Sequence, residues 1–159
     1  MHFRIIAVGR VREPFAAAGV EEYLKRLQPY GRFEVVELAD EPVPTEPSPG
    51  QEKRILAAEG QRIRDSLHNG EYVVCLDRRG TALSSESLAA LLDDLAGRGR
   101  SNVAFVIGGT LGLDPTVLVR ADLKLSLSAM TFPHQLARLM VVEQIYRAFK
   151  ISRGEPYHH

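Results

Sequence analysis

With 159 residues, 45% of them hydrophobic and 25% charged, the chain has the size and balance of one globular domain, which excludes a disordered or fibrous protein. Twenty basic residues offset twenty acidic ones, so bulk charge gives no pointer to a nucleic-acid partner. The lone cysteine, Cys75, excludes an intramolecular disulfide and suits a reducing compartment.

Residues 3–8 (FRIIAV) read as the first strand. Their apolar part, between arginines, is too short for a signal-peptide core or a membrane span, so a cytoplasmic protein with no membrane partner is expected. Pro14 can open the first helix, and residues 33–38 (FEVVEL) read as the second strand. Prolines at 42, 44, 47 and 49 make residues 40–50 an expected extended surface loop. It is not a domain linker, because too little chain precedes it to form a core. A second helix, about 52–68, stops at the turn pair Asn69 and Gly70. Strand 72–76 (YVVCL) follows, then a third helix capped by Ser84 or Ser85 with Glu86 and ended by Gly97. Strand 103–107 (VAFVI), a fourth helix opened by Asp114 and Pro115, strand 123–127 (LKLSL) and a last helix over 133–152 complete the chain.

The strand runs are mostly continuous, as in strands covered on both faces, and helical patterns alternate with them. Together they predict an α/β fold: one domain, 1–159, with a mostly parallel sheet and helices on both faces. The last helix is apolar around much of its circumference and needs cover on more than one side. A second copy of the chain would supply that cover, and so would a deep site within one chain; a homodimer is the expectation. Basic residues gather at the two ends (Arg4, Arg10 and Arg12; Lys150, Arg153, His158 and His159), whereas Glu34, Glu37, Asp40, Glu41 and Glu46 crowd one inner segment. The basic ends can meet in space, although scattered surface charge gives the same pattern.

Three connections can carry chemistry. Gly108, Gly109, Thr110, Leu111 and Gly112 directly follow the fourth strand, where glycines let a ligand approach the backbone. The spacing is neither a dinucleotide fingerprint nor a phosphate loop, and a plain tight turn explains it equally well. The stretch LSAMTFPHQ, 127–135, joins the last strand to the last helix; it can present backbone groups to an adenine edge while Leu127, Met130 and Phe132 cover the ring, or be only a connection. Leu76 to Gly80 puts Asp77, Arg78 and Arg79 at the carboxyl end of a strand, the edge where open α/β sheets bind ligands, although exposed loop charge is the commoner reason for two such arginines. No histidine has partners at metal-ligand spacing, so no metal is expected. No nucleophile elbow is present, and a strand cysteine is a poor nucleophile.

The stretches IGGTLGL (107–113), LSAMTFPHQLAR (127–138), EQIYRAFKI (143–151) and GEPYHH (154–159) resemble the ribosomal RNA large-subunit methyltransferase H family of the SPOUT class. FRIIAVGRVREPF, EEYLKRL and CLDRRG extend the likeness over nearly the whole chain. The resemblance implies a C-terminal trefoil knot, a homodimer, and S-adenosylmethionine bound by the knot loops. By position, that site comprises Leu76, Gly108, Leu127, Ser128, Ala129, Met130, Thr131 and Phe132. The implied reaction is methylation of N3 of a pseudouridine in 23S rRNA, on the assembled ribosome. That imide nitrogen must lose its proton for its lone pair to attack a sulfonium methyl, with alignment supplying much of the catalysis. His158 suits the proton transfer, because histidine ordinarily changes charge near neutrality. Glu143 and Arg147, one turn apart, can position the base or the tail, or form only a surface ion pair. Tyr157 can stack on the uracil ring. Family members end in Arg or Lys after the Tyr-His pair, where this chain has His159. A ribosome-associated RNA binder that kept the fold without catalysis is the alternative, and an unrelated nucleotide-binding α/β protein is a third reading.

Overall fold

The computed structural model describes residues 1–159, and branched or aromatic side chains fill its five strands: β1 (His2–Val8), β2 (Arg32–Leu38), β3 (Tyr72–Ala82), β4 (Asn102–Ile107) and β5 (Leu123–Ser126). All neighbours pair in parallel, in the order β2-β1-β4-β3-β5. The helices are α1 (Pro14–Leu27), α2 (Pro49–Ser66), α3 (Ser85–Gly97), the single turn α4 (Pro115–Leu118) and α5 (His134–Ser152).

Strand alternation divides them between two faces. Phe3, Ile5 and Ala7 of β1, with Val103, Phe105 and Ile107 of β4, pack beneath α1, α3 and α5. Ile6 and Val8, with Ala104, Val106 and Cys75, face α2 and α4 through Ile63 and Val117. The α/β architecture with helices on both faces is therefore as the sequence predicts.

α5 touches α1 and α3 as well as the sheet, and every residue from Leu136 to Phe149 is buried or half-buried. Much of the cover this helix needs is thus supplied within one chain, while Leu136, Leu139 and Met140 stay partly exposed.

Two boundaries differ from expectation. The loop expected over 40–50 gives way to helix at Pro49. Ser48 accepts the Gln51 amide while the Gln51 side chain accepts the Ser48 amide, so the cap begins the helix and Pro49 occupies its first position, where no amide donor is needed. The strand expected to end at Leu76 instead runs to Ala82. Pairing to β5 breaks after Leu76 and resumes at Thr81, so residues 77–80 form an irregular excursion within a continuing strand. A side chain at Gly80 would meet the Lys124 carbonyl oxygen at 2.4 Å, which explains the glycine at that crossing.

Candidate active site

At the excursion within β3 and the carboxyl ends of β4 and β5, the three segments singled out in the sequence close around one cavity of about 460 Å³. This is within the usual size of a small-molecule site, about 300–1,000 Å³. Of the residues expected to hold a cofactor, Leu76, Gly108, Leu127, Ser128, Met130, Thr131 and Phe132 line it, whereas Ala129, in the same loop, does not. Asp77, Arg78 and Arg79 also line it, from the excursion within β3 rather than from the strand's end.

Local chemistry holds each wall in shape. The glycine loop folds back on itself: Gly112 donates to the Gly109 carbonyl at 3.1 Å and adopts a φ of 85°. A side chain on Gly108 would meet the Gly112 oxygen at 2.4 Å, so this fold of the loop requires glycine. In the β5–α5 connection, Ser126 Oγ donates to the Ser128 carbonyl and Ser128 Oγ accepts from the Met130 amide, each at 3.0 Å. Arg78 Nη1 donates to Thr131 Oγ1 at 2.6 Å and ties the β3 excursion to that connection. Leucine and phenylalanine side chains beside glycine backbone fit a nucleoside, whose ring faces want apolar cover and whose edges want amide and carbonyl groups.

The start of α5 is fastened to the β1–α1 connection from two sides. Gln135 Oε1 accepts the Arg12 and Glu13 amides, both at 2.8 Å. Arg138, only 2% exposed, donates from Nη2 to the Gly9 carbonyl at 2.9 Å and from Nη1 to Glu37. His134 lines the cavity, and burial, aided by the Arg138 charge, pushes its pKa down. Its neutral ring is therefore the favoured form.

The four residues expected to be catalytic form a second cluster. Glu143 Oε1 accepts from Arg147 Nη2 at 2.6 Å and from the Tyr157 hydroxyl at 2.9 Å, and Tyr23 reaches that hydroxyl at 2.9 Å. The bond to Glu143 raises the Arg147 pKa, and burial raises that of Tyr157. Arg147 Nη1 lies 3.1 Å from His158 Nδ1, and Glu86 Oε1 lies 2.7 Å from His158 Nε2. A guanidinium can meet only a lone pair, so Nδ1 accepts and Nε2 carries the proton that Glu86 receives. The Tyr157 ring packs edge-on against Tyr146 at 4.9 Å, with Arg147 over its face at 4.7 Å. In this arrangement it is an anchored member of the cluster rather than a free stacking platform.

None of Glu143, Arg147, Tyr157 or His158 lines the cavity. Sequence reasoning also missed Tyr23 and Glu86, which complete the tail cluster, and Arg138. The Arg138 signal was a charged residue within an apolar helix.

Several of the expected basic and acidic residues are held in ion pairs. Arg4 is buried against Glu71 at 2.8 Å and lies 3.8 Å from Glu34, Arg138 meets Glu37, and Arg62 meets Glu41 at 3.5 Å. Lys150 pairs with Glu155 at 2.7 Å. Burial pushes the Cys75 thiol up to about 12, in keeping with a core role. No group of residues suited to hold a metal ion occurs, and no helix is long and apolar enough to cross a membrane.

Residues 1–158 match a family model described as Predicted SPOUT methyltransferase. Proteins named Ribosomal RNA large subunit methyltransferase H are similar over 99% of this chain and 99% of their own length: 55% identical in Moorella thermoacetica, 54% in Symbiobacterium thermophilum and 50% in Clostridium acetobutylicum. Among solved structures, a tRNA methyltransferase from Aquifex aeolicus superposes with a TM-score of 0.53 at 16% identity, covering 100% of this chain and 75% of that one. That likeness is one of fold.

Proposed function

Because the chain belongs to the SPOUT methyltransferase family, alongside the ribosomal RNA large subunit methyltransferases H, we propose that it methylates ribosomal RNA. In this reading it transfers the methyl group of S-adenosylmethionine to N3 of a pseudouridine in 23S rRNA, on the assembled ribosome in the cytoplasm. The convergence of the β3, β4 and β5 connections on one cavity is the observation that carries the proposal. When bound, S-adenosylmethionine supplies an electrophilic methyl on a positively charged sulfur. Leu76, Leu127 and Phe132 would cover the adenosyl group, the backbone of Gly108, Ser128, Met130 and Thr131 would read its edges, and Ala129 would support the loop from outside the cavity.

His158 accepts the imide proton at Nδ1 as that nitrogen leaves Arg147, while Glu86 steadies the ring through Nε2. Glu143 holds Arg147 and Tyr157 in place for this exchange. Within one chain the tail cluster stands apart from the cavity, and a homodimer belongs to the same reading: the tail of a second copy completes the site. Exposed Phe15, on α1, and exposed Met130, at the cavity, are apolar surface for that contact. The trefoil threading implied by the family is part of the same reading, with α5 leaving from among the loops it helps to close.

Calorimetry with S-adenosylmethionine, followed by nucleoside mass spectrometry of rRNA from a deletion strain, tests this function. Donor binding and loss of N3-methylpseudouridine on deletion are expected. Persistence of the modified nucleoside, or no heat of donor binding, overturns the proposal.

A further inference from the structure

Glu59 of α2 reaches the glycine loop from behind, without lining the cavity itself. It is 3% exposed, and Oε2 accepts the Glu41 amide at 2.9 Å. Its other oxygen, Oε1, is buried without a partner. A methyl group placed on Gly109 would lie 3.2 Å from Glu59 Oε1, 3.4 Å from Oε2 and 3.2 Å from Val8 Cγ1. Gly109 itself lines the cavity. One oxygen suffices to hold the β2–α2 connection, so that role does not account for burying the second against the glycine loop. Buried polar atoms are ordinarily paired, and an exception calls for a reason.

We infer that Glu59 is a positioning residue for the methyl donor: pressed against Gly109 from behind, it sets the height of the glycine loop and so the depth of the cavity. This rests on the proposed function, in which that cavity takes S-adenosylmethionine. Burial raises the Glu59 pKa, the bond from the Glu41 amide opposes the rise, and Asp40, Arg62 and Glu41 are the charged groups that face it. Burial in so confined a position disfavours the charged form. Ionisation would push charge against the loop and loosen it.

The test measures S-adenosylmethionine affinity by calorimetry and steady-state turnover for Glu59→Ala and Glu59→Gln. Glu59→Ala is expected to weaken donor binding about tenfold while kcat at saturating donor stays within about threefold, and Glu59→Gln is expected to restore the affinity. Wild-type affinity should fall as pH rises through the elevated Glu59 value, and Glu59→Gln should abolish that component. If Glu59→Ala does not fold, Glu59→Asp, which withdraws the carboxyl by one methylene, must show the same loss. Unchanged donor affinity in the shortened variant, or an unaltered pH profile in Glu59→Gln, overturns the inference and leaves the enzyme assignment standing. A wild-type protein that binds no donor sinks both.

Discussion

His158 is wedged between a guanidinium and a carboxylate, so neither ring nitrogen is idle. His158→Ala is therefore expected to slow methyl transfer by about 10²-fold or more while donor affinity, measured by calorimetry, stays within about twofold. Equal turnover would remove the residue from the mechanism. His134 answers to pH in the other cluster. Burial lowers its pKa, so the fold disfavours its charged form. The associated stability is present above the ordinary histidine value, about 6.5, and is lost as pH falls through the lowered folded value. Chemical unfolding should show a drop in stability between pH 7 and 5 that is shallower in His134→Gln.

At the scale of elements, caps and helix packing carry energies that single substitutions can read. Ser48→Ala removes half of the reciprocal cap on α2 and should cost about 1 kcal/mol in urea unfolding. Ile145, fully buried on the core side of α5, should cost about 2–5 kcal/mol on truncation to Ala. The five strands were legible because each is a short run of branched or aromatic residues between turn signals. The start of α2 was not, because prolines read as breakers although Pro49 sits where a helix accepts one. The far end of β3 was hidden for a related reason: Asp77, Arg78 and Arg79 have the composition of a loop, and only the renewed pairing of Thr81 with Leu125 makes the segment strand. The cavity loops were legible because glycines and small apolar residues follow strands in sequence. Glu59 and Arg138 were not, because what buries them is contact with residues far away along the chain.

For the whole molecule, the separation between cavity and tail cluster has a direct test. Gly108→Ala spoils the cavity, because its new methyl would crowd the Gly112 carbonyl, and His158→Ala spoils the tail. Each variant alone should be nearly inactive. Co-expressed with different affinity tags, they should form hybrid dimers that regain methyl transfer, since one member keeps an intact cavity and its partner an intact tail. Hybrids as inactive as their parents would show that both clusters work within a single chain.

Arg4, Arg62, Arg138 and Lys150 each face a carboxylate of the same molecule. Cations tied up this way are unavailable to displace the ions condensed along a polynucleotide, so Arg62→Gln should leave the dependence of RNA affinity on salt concentration unchanged, that dependence falling on side chains such as Arg78 and Arg79 that face no carboxylate.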